Sequence, residues 1–157
     1  MKNFEIINLY KDLVSVQGLK GVEVSYAILR SINKLKPLVD SINDAAKTDD
    51  ESIKEAEKHI FSLLEKYGKK GEDGKIEINN QGVVFEDAEG FNKAVEEYRK
   101  VNPEGLKARE EHLKKYNEFL AKENEEEVDL FKVDIDKLPE DITQDQMKKI
   151  FSIIKES

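Results

Sequence analysis

The sequence predicts a mainly α fold with a little β (α+β): a long helical hairpin or bundle with a small antiparallel sheet of two or three strands. Three observations point there. Ile28, Ile32, Leu35, Val39 and Ile42 follow a strict 4-3-4-3 spacing. That spacing lays a narrow apolar stripe along one side of a helix, and a narrow stripe packs against another helix. A second run, Leu106, Arg109, Leu113, Tyr116 and Leu120, repeats the spacing as 3-4-3-4 with one basic interruption. Between the two, residues 75–86 switch to the alternation of strands around a polar turn.

Along the chain, Phe4, Ile7, Leu9, Leu13 and Val14 mark a short helix over residues 4–16. Gly18 and Gly21 bracket a turn. Residues 22–47 carry the first stripe. Pro37 lies inside this segment, and the stripe continues past it, so a kink is expected rather than a break. Asp50 is placed to cap the next helix, 51–67, whose apolar face reads Ile53, Ala56, Ile60, Phe61, Leu64 and Tyr67. Gly68 follows as its C-cap. Helical structure therefore covers 4–67, with an antiparallel pair joined by a short polar break.

Ile76-Glu77-Ile78, then Asn79-Asn80-Gln81-Gly82, then Val83-Val84-Phe85 read as a β-hairpin over 75–86. Helix returns over 87–122, with Phe91, Ala94, Val95 and Tyr98 on one face and Pro103 in the first turn of a second segment. Glu110–Lys114, Glu111–Lys115 and Glu118–Lys122 have the favourable i,i+4 direction for a solvated face. An acidic knot, Glu123 to Glu127, leads into a strand over 127–135 that could join the hairpin. Thr143 and Gln146 spell a capping box, opening a terminal helix over 143–155 with Met147, Ile150, Phe151 and Ile154 on one apolar face. The whole reads as a single domain, 1–157.

Composition narrows the function classes. Hydrophobic and charged residues each make up 38% of the chain, which favours thin helix-to-helix packing over a thick globule. With 7 Phe and 5 Tyr at regular spacing, disorder is disfavoured. The net charge of -8 argues against a broad nucleic-acid surface, which needs clustered Lys and Arg. The absence of cysteine removes disulfides, thiolate catalysis and cysteine-held zinc, and fits a reducing cytosol. The start of the chain lacks a signal-peptide core, and no apolar run is long enough for a bilayer.

Chemistry-bearing motifs fail on spacing. Glu-x-x-His metal pairs are missing: Ala56 precedes His59 and Arg109 precedes His112 at that offset. A calcium loop centred on Gly74 would need carboxylates at Lys69 and Gly71. No phosphate-cradling glycine loop or nucleophile elbow occurs. The expectation is no catalytic residue, no metal and no cofactor. What remains is protein contact. Glu125, Glu126 and Glu127 and the helix face Met147, Ile150, Phe151 and Ile154 are the candidate partner-binding residues. The competing reading is that the terminal face closes the core of its own chain.

Several strings also carry a resemblance. Leu19-Lys20-Gly21 leads into Val24-Ser25-Tyr26-Ala27-Ile28 and a long helix. Glu65-Lys66-Tyr67-Gly68 precedes a glycine-rich turn, Gly90-Phe91-Asn92-Lys93 follows, then Glu127-Val128-Asp129-Leu130, then Leu138-Pro139 and Ile142. This arrangement resembles a family of small uncharacterised proteins encoded by tailed bacteriophages. The resemblance implies a phage origin and a non-enzymatic role. Its functional reading is an interaction or assembly protein, a virion or tail component, meeting a phage structural or host protein and able to self-associate through its stripes. The alternative is a phage inhibitor of a bacterial defence protein, with an acidic surface that imitates nucleic acid. Either would act in the host cytoplasm or the virion, without membrane or direct nucleic-acid binding.

Overall fold

The computed structural model describes residues 1–155. Six α-helices and two small two-stranded sheets make up the described residues, a mainly α fold with a little β. The helices are α1 (Asn3–Ser15), α2 (Val22–Asp44), α3 (Glu51–Tyr67), α4 (Ala88–Val101), α5 (Pro103–Leu120) and α6 (Gln144–Ile150). The strands are β1 (Ile78–Asn79), β2 (Gly82–Val83), β3 (Val133–Asp134) and β4 (Ile154–Lys155). The backbone gathers into two compact units. The first is Met1–Lys47 with Tyr116–Ser157, and the second is Thr48–Lys115.

The first unit is organised around α2. Every residue of the leading stripe is buried: Ile28, Ile32, Leu35, Val39 and Ile42. They join Ile6 and Leu13 of α1 in one apolar core, closed by Leu130, Val133, Ile150, Ile153 and Ile154. The stripe thus packs against another helix, as its narrow width requires. Pro37 lies within α2 on its exposed side. There the carbonyl that proline leaves unpaired can turn to water, so the helix continues. Gly21 precedes α2 at φ 113°, a conformation that residues with a Cβ rarely adopt.

Strand β3 corrects the expectation of a third hairpin strand. It pairs in parallel with β4, Val133 opposite Ile154 and Asp134 opposite Lys155. The reason is burial. Val133 and Ile154 both face the core of the unit, while Asp134 and Lys155 face out and pair at 3.4 Å. The expected strand over 127–135 shrinks to two residues, and the terminal helix stops early. Helix α6 starts at the expected box, Gln146 N–H to Thr143 Oγ1 at 3.2 Å and Thr143 N–H to Gln146 Oε1 at 3.0 Å. It ends at Ile150, passes through a 3-10 turn (Phe151–Ile153) and becomes strand. The core takes Ile150, Ile153 and Ile154, and the parallel pairing of Ile154 with Val133 draws the chain out of the helix into strand.

The second unit has a thinner interior. Its buried apolar side chains are Ile53, Ala56 and Ile60 of α3 and Leu106 of α5, and α4 buries none fully. Local polar chemistry holds its elements. Asp50 caps α3 by accepting from Ser52 N–H at 2.9 Å and Ile53 N–H at 3.4 Å. Asp87 caps α4 through Gly90 N–H at 2.8 Å. Asn102, at the α4–α5 junction, accepts from Gly105 N–H at 3.1 Å and donates to the Tyr98 hydroxyl at 3.1 Å. Gly68 does end α3, but with extended backbone rather than a left-handed cap. Its glycine identity follows from close approach: an added Cβ would stand 2.5 Å from the Leu64 carbonyl oxygen. The antiparallel hairpin pairs Ile78 with Val83 and Asn79 with Gly82, and is extended by bridges Gly68–Phe85 and Lys70–Ile76.

Candidate functional site

Exposed large apolar side chains identify where the chain can meet another molecule. In the first unit one group of them stands at the start of α2. Val22, Tyr26 and Leu29 stand at 4-3 spacing and are 88%, 49% and 50% exposed. Phe131, just before β3, sets its ring edge-on against Tyr26 at 5.1 Å between centroids and 89°. The Arg30 guanidinium lies 5.9 Å from the Tyr26 ring centre, within cation–π range. Val22, Glu23, Tyr26, Phe131 and Asp134 line a shallow depression of ≈ 480 Å³. Sequence reading passed over this surface. Its signal was the Val22–Tyr26–Leu29 run beside the stronger stripe, and the large ring of Phe131 on the opposite side of the alternation from Leu130.

The segments expected to bind a partner divide. Ile150 and Ile154 are buried in the unit's own core, so the terminal face is corrected: half of it closes the fold. Phe151 is 63% exposed and lines a groove with Met147, Gln144 and Lys148. A truncation at Thr143 would therefore remove core side chains, not a detachable docking helix.

The acidic knot is anchored at one end. Glu123 meets the Met1 ammonium at 2.8 Å, and the hydrogen bond between them lowers its pKa and raises that of the amine. Asn124 Nδ2 donates to Asn3 Oδ1 at 2.7 Å, and buried Asn3 Nδ2 donates to the Phe119 carbonyl at 2.9 Å. Glu125, Glu126 and Glu127 are all exposed, and their carboxylates form no ion pair among the described residues. The knot meets α1 at its start, whereas α6 places Lys149 near enough to Asp12 for that carboxylate to raise its pKa, after the larger effect of its hydrogen bond to Asp145. The acidic and apolar candidates thus neighbour opposite ends of α1, about 14 Å apart along the helix.

In the second unit, a groove of ≈ 500 Å³ runs beside α3, lined by Lys54, Glu57, Lys58, Phe61 and Leu64, with Arg109 from α5. Phe61, expected on the buried face of α3, is 59% exposed. Elsewhere in this unit polar and aromatic groups find partners. His59 stacks on Tyr98 at 3.9 Å and 15°. Glu110 pairs with Arg99 at 2.9 Å, which lowers the Glu110 pKa; its expected partner Lys114 is not engaged. Among the described residues no cluster of His, Asp and Glu could hold a metal ion, and no helix is long and apolar enough to cross a membrane. Compared with known proteins, the chain matches no family, no curated protein and no solved structure.

Proposed function

We propose that this chain is a non-enzymatic interaction or assembly protein of a tailed bacteriophage, acting by protein–protein contact, with a role in the virion or tail. The observation that carries the contact reading is the surface of Val22, Tyr26, Leu29 and Phe131. Large apolar side chains left together in water cost free energy that a partner recovers by covering them. Aromatic rings with a neighbouring guanidinium are also the residue types enriched where interfaces concentrate their binding energy. The phage origin rests on the resemblance of Leu19-Lys20-Gly21 through Ile28 and the later strings, and places the protein in the host cytoplasm or the particle.

A second reading is favoured by one feature. Glu125, Glu126 and Glu127 form a run of unpaired exposed carboxylates, as an inhibitor of a bacterial defence protein would use to meet a basic nucleic-acid site. Tyr26→Ser with Phe131→Ser tests the first reading, and Glu125→Gln with Glu126→Gln and Glu127→Gln tests the second. Capture from phage-infected cells should lose its partner with the aromatic variant and keep it with the acidic one. The reverse pattern would transfer the function to the acidic run. Retention by both variants would contradict both readings.

A further inference from the structure

The groove on α3 reverses the charge of the chain around it. The protein carries a net charge of -8, yet this groove is lined by Lys54, Lys58 and Arg109 against the single carboxylate of Glu57. Lys54 is partly neutralised by Glu51 at 3.2 Å. Lys58 and Arg109 form no ion pair among the described residues. Arg109 is the basic residue that interrupts the stripe of α5, and its Nε is shielded from water without a hydrogen-bond acceptor. The exposed Lys58 ammonium, with no carboxylate paired to it among the described residues, is the anchor an incoming anion meets first.

The apolar floor adds shape to charge. Phe61 offers an exposed ring, and Leu64 continues the floor one turn on. From Lys54 to Leu64 the α3 side spans about 15 Å, room for two to three helical turns. A pure polyanion would leave Phe61 wet, and a purely apolar segment would bury unpaired ammonium groups. An amphipathic helix with acidic residues flanking an apolar anchor answers both.

We propose that the groove of α3 and Arg109 binds an acidic amphipathic helix of a partner protein, its carboxylates meeting Lys58 and Arg109 and its apolar anchor lying on Phe61 and Leu64. This site lies in the second unit and is independent of the Tyr26–Phe131 surface, so either can fail without the other.

Fluorescence anisotropy with a labelled synthetic helix, glutamates on one side and leucines on the other, is the test. A control helix carries lysine at each glutamate position, and a second carries serine at each leucine. The wild-type protein should bind only the acidic amphipathic helix, and binding should weaken as salt rises. Lys58→Glu should weaken it roughly tenfold or more, and Phe61→Ser should weaken it by a similar factor. Both positions are exposed, so circular dichroism should show the fold intact. Equal binding of the basic helix, or unchanged affinity in both variants, would overturn the proposal. Equal binding of the leucine-free acidic helix would reduce the site to charge adsorption and overturn it too. So would self-association of the wild-type chain, seen by sedimentation and abolished by Lys58→Glu, because a second copy would then be the occupant.

Discussion

The two compact units draw on one acidic, lysine-rich sequence but are held together differently. In the first, α2 is surrounded by buried aliphatic side chains from α1, the β3–β4 pair and α6. In the second, four buried apolar side chains are supplemented by caps at Asp50, Asp87 and Asn102, ring contacts such as His59–Tyr98, and the Arg99–Glu110 pair. Burial contributes through area and close packing, so it fails sharply when a charge is inserted. Caps and exposed ion pairs contribute a little each and respond to pH and salt.

The largest expected effect is in the first unit. Leu35→Asp should cost about 4 kcal/mol or more, because fully buried Leu35 offers its replacement no partner. Thermal denaturation should show the loss; an unchanged melting temperature would place the stripe at an interface instead. The comparison sharpens with alanine. Leu35→Ala should cost about 3–4 kcal/mol and Ile60→Ala about 2 kcal/mol, since fewer buried side chains surround Ile60. Equal costs in chemical denaturation would break the distinction.

Asn3→Ala should cost about 1–3 kcal/mol, because it leaves the Asn124 amide and the Phe119 carbonyl without their partner in a buried place. Asp50→Ala should lower the melting temperature by less than Asn3→Ala, through the lost cap of α3. The same carboxylate gives the unit a pH response. Hydrogen bonds from Ser52 hold the Asp50 pKa below its ordinary value, and Arg99 does the same for Glu110. A depressed folded-state pKa contributes stability above the unfolded-state value and loses it as pH falls through the folded-state value. Amide protection, taken relative to the intrinsic exchange rate at each pH, should therefore fall in α3 and α5 before it falls in α2 between about pH 5 and pH 3. Earlier loss of protection in α2 would contradict this order. The smallest change has the opposite sign. Ser31 is fully buried with no partner for its hydroxyl, so Ser31→Ala should be neutral or stabilising by up to about 1 kcal/mol.

Helix identity was legible where a signal is local. The ranges of α1 to α5, the Asp50 cap, Pro103 in a first turn and the Thr143–Gln146 box all follow from periodicity and capping chemistry. What resisted reading depends on distant partners. Nothing near Val133 announces pairing with Ile154, and that pairing ends α6 early and buries half of the face expected to dock. The stripe from Leu106 to Leu120 reads as one surface, yet its residues are shared between the two units. Glu110 turns to Arg99 rather than Lys114 because a fork-shaped guanidinium from α4 lies within reach. Exposure is equally non-local: Phe61 and Phe151 carry the right periodicity for a core and stand in water.

The proposed contact through the Tyr26–Phe131 surface can be trapped covalently. Site-specific photo-crosslinking tests it most directly, with a benzophenone side chain placed at position 26, at position 131, or at Glu118 on the solvated side of α5. In phage-infected cells, positions 26 and 131 should yield the same crosslinked protein and position 118 should yield none. Equal crosslinking from position 118, or none from 26 and 131 in a folded protein, would contradict the account.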